Sequence, residues 1–270
     1  SNTMNITQGT NKSIINWNSY SIGNSETVNY AQPHSGSLSL NRVTGGSVSE
    51  LLGTLNANGR VWLLNPSGII FGANSSINAA GLLASSLNMT DESFLNESFI
   101  FTKDPGSQGF VINKGSISVR DGGYAALLGQ SVVNEGVIEA RLGKAVLGSG
   151  EAMTLELDSD GMISVAIDEE VTAAFDENGT AVEDAVRNSG EIAADGGSVV
   201  LTADVLGDVF TNAVNTDGLI RANRIESVDG EIYITGNDKV TVDGSVESDT
   251  GSFIIDSEGA DFKGLLDVNY

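Results

Sequence analysis

Cysteine is absent from this chain of 270 residues, which excludes disulfide bonds, a thiol nucleophile and a cysteine-bound metal. Proline is scarce, with three residues, and His34 is the only histidine. A Ser-His-Asp triad would have to use His34, which lies in a loop-like segment. Apolar runs fall well short of the ~18 residues of a membrane-spanning helix. We therefore expect no metal, no cofactor and no stable insertion into a membrane.

Positive charge is also scarce, with 13 basic against 36 acidic side chains and a net charge of −23. Residues 1–90 hold three basic and two acidic side chains, whereas residues 91–270 hold ten and 34. Because a surface this acidic repels phosphate backbones, we expect no nucleic-acid partner. Solubility is the simplest explanation of the charge. Calcium binding and repulsion from a like-charged cell surface are the alternatives.

Helical periodicity is scarce in this chain. Short strand-like runs, separated by turn residues, recur instead. Valine, isoleucine and threonine dominate these runs, as expected for half-buried strands. The predicted strands include Arg60–Leu64, Ile117–Val119, Val137–Ala140, Ser198–Ala203, Glu231–Thr235, Lys239–Val242 and Ser252–Ile255.

A weak internal repeat, Asn-x-Gly-x-Ile, begins at Asn113, Asn134 and Asn188, and recurs at Asn215 with one residue inserted. Asp-Gly phrases fall between the repeats. A period of roughly twenty-odd residues with several short strands predicts a solenoid of stacked β coils. In such a coil we expect asparagine and glycine to supply left-handed turn conformations at the corners. An antiparallel sandwich is the alternative, but the near-constant spacing favours an all-β, right-handed parallel β-helix.

Two segments interrupt the pattern. Residues 150–187 contain two predicted strands around Ser159-Asp160-Gly161, which indicates a hairpin outside the coil, and a capping-box pattern that predicts a short helix from Thr180. Residues 88–105 carry Phe94, Leu95, Phe99 and Phe101, which we expect to cover an apolar patch of the coil.

The chain is predicted to form one β-helical domain over residues 1–270. We expect residues 1–40 to be an N-terminal β cap, 41–149 the first coils with the loop 88–105, 150–187 the excursion and 188–270 further coils. We also expect the chain to begin inside a longer precursor and to continue with more coils, because it shows neither a signal peptide nor a C-terminal cap.

The segment Asn65–Gly72 is the most informative one. Pro66 fixes its own φ and keeps Asn65 out of the helical region, while asparagine first and glycine fourth favour a type I turn. Ile69-Ile70-Phe71 then begins a buried strand. As an isolated tetrapeptide this is only a turn.

The same turn ends a longer series of phrases, which begins with Gly9–Lys12 and Ile15–Gly23 and continues through Leu40–Gly46 and Gly59–Leu64. In order and spacing the series resembles the activation-and-secretion domain of filamentous-haemagglutinin-type exoproteins, which use two-partner secretion. The usual family phrase is Asn-Pro-Asn-Gly-Ile, and here Ser67 replaces its second asparagine. A further family phrase, Asn-Pro-Asn-Leu, is missing, which places the chain in the branch with Leu-Asn-Arg-Val-Thr-Gly.

The resemblance implies a function in export. An outer-membrane TpsB-type β-barrel transporter would bind the extended domain through its periplasmic POTRA modules, and the domain would fold outside a Gram-negative cell as a secreted or surface protein. The residues expected to be recognised are Asn65, Pro66, Gly68 and Ile69, with Asn41, Arg42 and Thr44 in support. Each of them could instead serve only to fold the first coils. We expect a monomer.

We therefore expect a domain that is exported and is not an enzyme, with no catalytic residues; an adhesin is the first alternative and an enzyme the second. An adhesin would bind a host glycan or cell surface, through these coils or through further parts of a longer protein, and would be favoured by an exposed aromatic platform on one face. A polysaccharide-degrading β-helix enzyme would need carboxylates clustered in a groove. Asp195, Asp229 and Asp243 could stack that way, but each precedes a glycine, so a corner turn is the simpler role.

Overall fold

The structure is a computed structural model that describes residues 2–158, 161–207, 209–225 and 227–267. It is a right-handed parallel β-helix built almost entirely of short strands, as predicted. Within the described residues no helix is long and apolar enough to cross a membrane.

The described residues contain one five-residue helix, α1 (Asp91–Leu95), which lies between the strands Gly81–Ser85 and Ile100–Thr102. In chain order the strands are β1 Thr3–Thr7, β2 Lys12–Trp17, β3 Thr27–Ala31, β4 Leu38–Val43, β5 Ser49–Leu51, β6 Thr54–Ala57, β7 Arg60–Leu64, β8 Ile69–Phe71, β9 Ser76–Ala79, β10 Gly81–Ser85, β11 Ile100–Thr102, β12 Phe110–Asn113, β13 Ser116–Val119, β14 Tyr124–Gly129, β15 Ser131–Asn134, β16 Val137–Glu139, β17 Lys144–Ser149, β18 Ala152–Leu157, β19 Ile163–Glu169, β20 Asp184–Asn188, β21 Glu191–Ala193, β22 Ser198–Ala203, β23 Asn212–Thr216, β24 Leu219–Arg221, β25 Glu231–Val242, β26 Ser245–Glu247, β27 Ser252–Phe262 and β28 Leu265–Asp267.

From β3 to β24, successive strands of the coil lie on three faces in turn, whereas β25 and β27 each run along two of the faces. Face 1 contains β2, β4, β7, β10, β14, β17 and β22; face 2 contains β5, β8, β12, β15, β20 and β23; face 3 is a ten-stranded sheet from β1 to β28. The strand β25 pairs with β22 through residues 231–236 and with β23 through residues 240–242. The two predicted strands Glu231–Thr235 and Lys239–Val242 are therefore parts of one bent strand, which joins faces 1 and 2.

The coil interior is a column of stacked apolar side chains. The isoleucines of the predicted repeat, Ile117, Ile138, Ile192 and Ile220, are register partners from coil to coil on face 3. All four are fully buried. The repeat therefore marks one interior position of successive coils, because parallel pairing in register brings equivalent residues together.

The asparagines of the repeat form a buried ladder. Asn113 donates from Nδ2 to Oδ1 of Asn134 at 2.8 Å, Asn134 donates to Asn188 at 2.8 Å, and Asn188 donates to the hydroxyl of Thr216 at 3.2 Å. Each carboxamide is buried, so each bond satisfies a polar group that would otherwise be costly in the interior.

The glycines of the repeat are required by close approach of the backbone. A Cβ at Gly136 would lie 2.1 Å from the carbonyl oxygen of Gly115, and one at Gly190 would lie 2.1 Å from that of Gly136. Neither these glycines nor the asparagines of the repeat have positive φ, so the predicted left-handed conformation is wrong for both. It is right for Gly122 and Gly196 in the Asp-Gly phrases, with φ of 73° and 67°.

Residues 2–40, the described part of the expected cap, form the first coils of the solenoid. The strand β1 pairs in parallel with β3, and β2 pairs in parallel with β4, so the end expected to be a cap is made of strands that continue faces 1 and 3. The strand β4 itself runs across the expected boundary at residue 40.

The two interruptions leave the coil and pair with each other. The strands β18 and β19 form the predicted antiparallel hairpin, and β11, from the first interruption, pairs with β18 to make a three-stranded sheet. The hairpin residues Ser159 and Asp160 lie outside the described residues.

The short helix predicted from Thr180 is wrong. The Thr180 N–H donates to the side chain of Asp176, and Phe175 forms an antiparallel bridge with Ala181. The strand β20 already begins at Asp184, so the end of the predicted excursion belongs to face 2. Pairing with β15 thus prevails over a local capping signal.

A second hydrophobic core lies outside the coil. It is formed by the outer side of face 1 and by the two interruptions, and Trp62 is at its centre. Rings of Phe99, Phe94 and Phe101 lie 4.8, 5.9 and 5.9 Å from the Trp62 ring. The predicted covering role is confirmed for these phenylalanines, whereas Leu95 is 58% exposed.

Candidate functional site

The segment Asn65–Gly68 forms the corner between face 1 and face 2. The Gly68 N–H donates to the Asn65 carbonyl at 2.9 Å, which closes the predicted turn, and the Ser67 N–H donates to Asn65 Oδ1 at 3.0 Å. Gly68 has a φ of 114°, a conformation that side-chain-bearing residues rarely adopt. The side chain of Asn65 thus builds the turn it begins.

The same carboxamide also binds the corner of the preceding coil. Asn65 Nδ2 donates to the carbonyl of Ser47 and to the hydroxyl of Ser49, each at 2.9 Å. The loop 44–48 ends the Leu-Asn-Arg-Val-Thr-Gly phrase, so the structure brings the two phrases of the resemblance together at consecutive corners. Asn65 is completely buried between them.

Pro66, Gly68 and Ile69 contact the following coil. The Pro66 carbonyl accepts a hydrogen bond from the hydroxyl of Ser107 at 2.6 Å. A Cβ at Gly68 would lie 2.8 Å from the ring of Phe110, so the glycine makes room for that ring. Ile69 is completely buried in the coil interior. The turn is therefore held between the coils on both sides.

Asn41 lies inside the first coils. Its Oδ1 accepts hydrogen bonds from Trp17 Nε1 at 3.0 Å and from the Tyr30 hydroxyl at 2.9 Å, and its Nδ2 donates to the Trp62 carbonyl at 3.3 Å. The hydroxyls of Tyr20 and Tyr30 are 3.0 Å apart. Burial raises the pKa of Tyr20 to about 12, against a smaller lowering by its hydrogen bond with Tyr30. Burial likewise raises the pKa of Tyr30.

Arg42, the next residue on β4, points to the opposite side. Its guanidinium forms an ion pair with Asp91 at 2.6 Å and donates to the carbonyl of Met89 at 2.6 Å and to Asn88 Oδ1 at 3.2 Å. It therefore ties the first interruption, including α1, to face 1. The hydroxyl of Thr44 donates to the carbonyl of Trp17 at 3.0 Å while the residue remains exposed.

The seven predicted residues do not form one continuous surface. Asn41, Asn65, Gly68 and Ile69 are buried, Arg42 and Pro66 are partly buried, and Thr44 is exposed. Sequence analysis missed the partners that hold them, Ser47, Ser49 and Phe110. Nothing in the local sequence marks these partners, because the contacts join residues of different coils.

Four features bear on the rival functions: the histidine, the aspartates of the Asp-Gly phrases, exposed aromatic side chains and groups that could hold a metal ion. His34 is exposed, and its ring nitrogens contact Asn11 Oδ1 at 3.0 Å and the Gly36 N–H at 3.1 Å. Asp195 binds Arg221 in the next coil at 3.1 Å. Among the large hydrophobic side chains that are exposed in the described residues, Phe262 is the only aromatic one. The described residues contain no group of acidic or histidine side chains that could hold a metal ion.

Comparison with known proteins identifies the family. The profile of the family described as TPS secretion domain matches residues 1–248. The chain belongs to the TPS secretion domain family.

Solved and curated relatives agree with this membership. The crystal structure of the HMW1 secretion domain from Haemophilus influenzae superimposes with a TM-score of 0.82 at 26% identity, over 99% of this chain and 68% of that one. A heme/hemopexin-binding protein of Haemophilus influenzae strain Rd is 35% identical over 245 residues, and another from Haemophilus influenzae is 29% identical over 257 residues. These alignments cover 88% and 87% of this chain but 25% and 26% of the relatives, so the chain spans about a quarter of their length.

Proposed function

We propose that this TPS secretion domain directs the export of a larger exoprotein. Membership of the family implies a cognate transporter in the outer membrane as its partner. The finer proposal is that POTRA modules of a TpsB-type transporter bind the domain in the periplasm, and that the domain then starts β-helix folding outside a Gram-negative cell. The exported product is secreted or displayed on the cell surface.

The observation that carries this proposal is the complete burial of Asn65 in the folded domain. A partner cannot reach its carboxamide once the coils have formed, since Ser47, Ser49 and Ser67 occupy its hydrogen-bonding atoms. The same holds for Asn41. If these residues are recognised, recognition therefore precedes folding, as expected for a chain that binds its transporter in an extended form.

The strand order supports folding in the direction of export. Strands of each face pair with the strands of the adjacent coils, so a coil that has emerged offers a complete edge to the next one. Parallel edges carry unpaired N–H and C=O groups that the incoming strand satisfies. The amino-terminal coils can thus form first and act as a template for those that follow.

The charge distribution supports contact through the first 90 residues. This part holds three basic and two acidic side chains, whereas the rest of the chain is strongly acidic. Extended segments can add to the edge of a partner sheet through main-chain hydrogen bonds. We infer that a nearly neutral, asparagine-rich segment suits this mode better than the acidic coils, which repel one another and any acidic partner.

The test is export of the chain behind a signal peptide, with and without the cognate transporter. Asn65→Ala is compared with Ser49→Ala, which removes a folded-state partner of Asn65 and leaves the Asn65 phrase unchanged. Asn74→Ala, in an exposed turn, is the matched asparagine control. Unfolding of each purified variant is measured in parallel.

Transporter-dependent export that is lost in Asn65→Ala and kept in Ser49→Ala, at equal loss of stability, makes Asn65 a recognition residue. Export that falls in proportion to stability in both variants makes Asn65 a folding residue. Wild-type chain that remains in the periplasm beside a working transporter rejects the proposed export function.

A further inference from the structure

A cavity lies between face 2 and the strap, residues 172–183, which joins β19 to β20. Its volume is about 370 Å³. Ile112 and Val133, register partners in β12 and β15, form an apolar floor together with Ser131. None of the residues expected to act in export lines this cavity.

Ser131 brings a buried polar group to this floor. Its neighbour Val132 belongs to the coil interior, and since successive side chains of a strand alternate, Ser131 points outward to the cavity. The residue is 1% exposed, and its hydroxyl has no hydrogen-bond partner among the described residues. An unpaired buried hydroxyl is unfavourable, so a ligand that pairs with it gains affinity.

Five carboxylates line the cavity, and two of them already accept hydrogen bonds from uncharged groups. Asp184 accepts hydrogen bonds from the side-chain amides of Asn212 and Asn215, at 2.6 and 2.8 Å. Asp176 accepts the backbone N–H groups of Thr180 and Asn178, which lower the pKa of its carboxyl group. The other three, on Glu135, Glu177 and Glu183, form the rim.

The rim already holds one ammonium group. Lys114 Nζ lies 3.0 Å from Glu177 Oε1 and 3.8 Å from Glu135 Oε2, so Lys114 fastens the strap to the coil. Arg187 also lines the cavity, but its guanidinium pairs with Asp217 at 3.1 Å. The carboxylate of Glu183 is exposed and forms no ion pair with any described residue.

We propose that this cavity binds a primary alkylammonium group. Its methylene chain would lie on Ile112 and Val133, and its N–H donors would pair with the Glu183 carboxylate and the Ser131 hydroxyl. Apolar contact along a stem with a charged end at an acidic rim is how lysine-like chains are held at protein surfaces. A free aliphatic diamine and the lysine side chain of another polypeptide both carry this chemistry.

Calorimetric titration of the full chain tests the proposal. The probes are 1,5-diaminopentane and Nα-acetyl-lysine methylamide, with 1-pentanol as an uncharged control. We expect saturable binding of the amines with a dissociation constant of about 1 mM, and none of the alcohol. Glu183→Gln should weaken binding roughly two- to fivefold, as for a partly exposed ion pair. Stronger binding of one probe identifies its class as the ligand.

Two further variants separate the site from general attraction to an acidic protein. Ser131→Ala should fold normally, because it removes a buried unpaired hydroxyl, and should also weaken binding. Glu139→Gln removes an equal charge from the exposed side of face 3 and should leave binding unchanged. Absence of saturable binding at tenfold above about 1 mM, or equal weakening by Glu139→Gln and Glu183→Gln, overturns the proposal.

Discussion

Trp62 donates a hydrogen bond from its indole Nε1 to the hydroxyl of Tyr124 across 2.7 Å, and both side chains are completely buried outside the coil. Burial raises the pKa of Tyr124 to about 12, and this effect is larger than the lowering by Arg60 and by the bond from Trp62. Both residues lie on face 1, in β7 and β14, so the bond joins two strands of that face beneath the rings that cover it. The second core therefore contains a buried polar contact beside its aromatic rings.

Tyr124→Phe should destabilise the fold by about 1–3 kcal/mol, because it leaves the buried Trp62 N–H without an acceptor. Urea unfolding measures the loss. Tyr233→Phe is the control, since its hydroxyl contacts Glu231 at an exposed position and its loss should change stability by less than about 0.5 kcal/mol. Equal effects of the two substitutions would show that the Trp62–Tyr124 bond contributes nothing specific.

Gly190→Ala should destabilise the fold by about 1–3 kcal/mol or more, because its Cβ would lie 2.1 Å from a carbonyl oxygen of the adjacent coil. Gly259→Ala is the control, since Gly259 lies in β27 and a Cβ there would meet nothing within 4 Å. It should be neutral or slightly stabilising. Thermal unfolding of both variants checks the difference, and a Gly190→Ala variant as stable as wild type contradicts the close-approach explanation.

Asn134→Ala should leave two buried groups without their partner in the ladder, an N–H of Asn113 and the side-chain oxygen of Asn188. Each should lower the free energy of unfolding by about 1–3 kcal/mol. A second ladder provides the matched control: Asn29 bonds to Asn5 and Asn56, each at 3.0 Å, on the solvent side of face 3. Asn29→Ala should cost less than about 0.5 kcal/mol, because water replaces the lost partners. Urea unfolding that ranks the two in the opposite order rejects burial as the cause.

The carboxyl group of Glu151 should make the stability of the fold depend on pH. Burial raises the pKa of this carboxyl group. Hydrogen bonds from Thr172 and Lys103 together lower the pKa by more than burial raises it, so the pKa in the folded state lies below the ordinary value of 4.5. The folded state therefore favours the carboxylate, and its stabilisation is present above pH 4.5 and is lost as pH falls through the lowered folded value.

The measurement is the free energy of unfolding of wild type and Glu151→Gln against pH. The wild type should be more stable by about 1 kcal/mol near neutral pH, and the difference should shrink in acid, when the carboxylate of the wild type is protonated. A difference that stays constant to low pH would place the effect in packing and not in ionisation.

Local patterns in the sequence predicted much of this structure. The Asn-x-Gly-x-Ile repeat predicted a solenoid, and its isoleucines stack from coil to coil. The turn predicted at Asn65–Gly68 is also present. Thr90 and the acidic residues after it also carry a signal for α1, since the Thr90 hydroxyl accepts a hydrogen bond from the Ser93 N–H at 3.1 Å, but the loop predicted at residues 88–105 did not include this helix. The signal at Thr180 was of the same kind and produced no helix, because pairing of the next strand prevailed.

The sequence alone determined the periodic positions, because a solenoid presents equivalent residues to equivalent places in every coil. Tertiary structure decided the rest: that Gly190 is needed for close approach, that Asn134 is buried while Asn29 faces solvent, and that Asn65 binds Ser49 of another coil. It also decided that two interruptions far apart in the chain pair over Trp62. These outcomes depend on the spacing between coils and on contacts between distant residues, which no local pattern records.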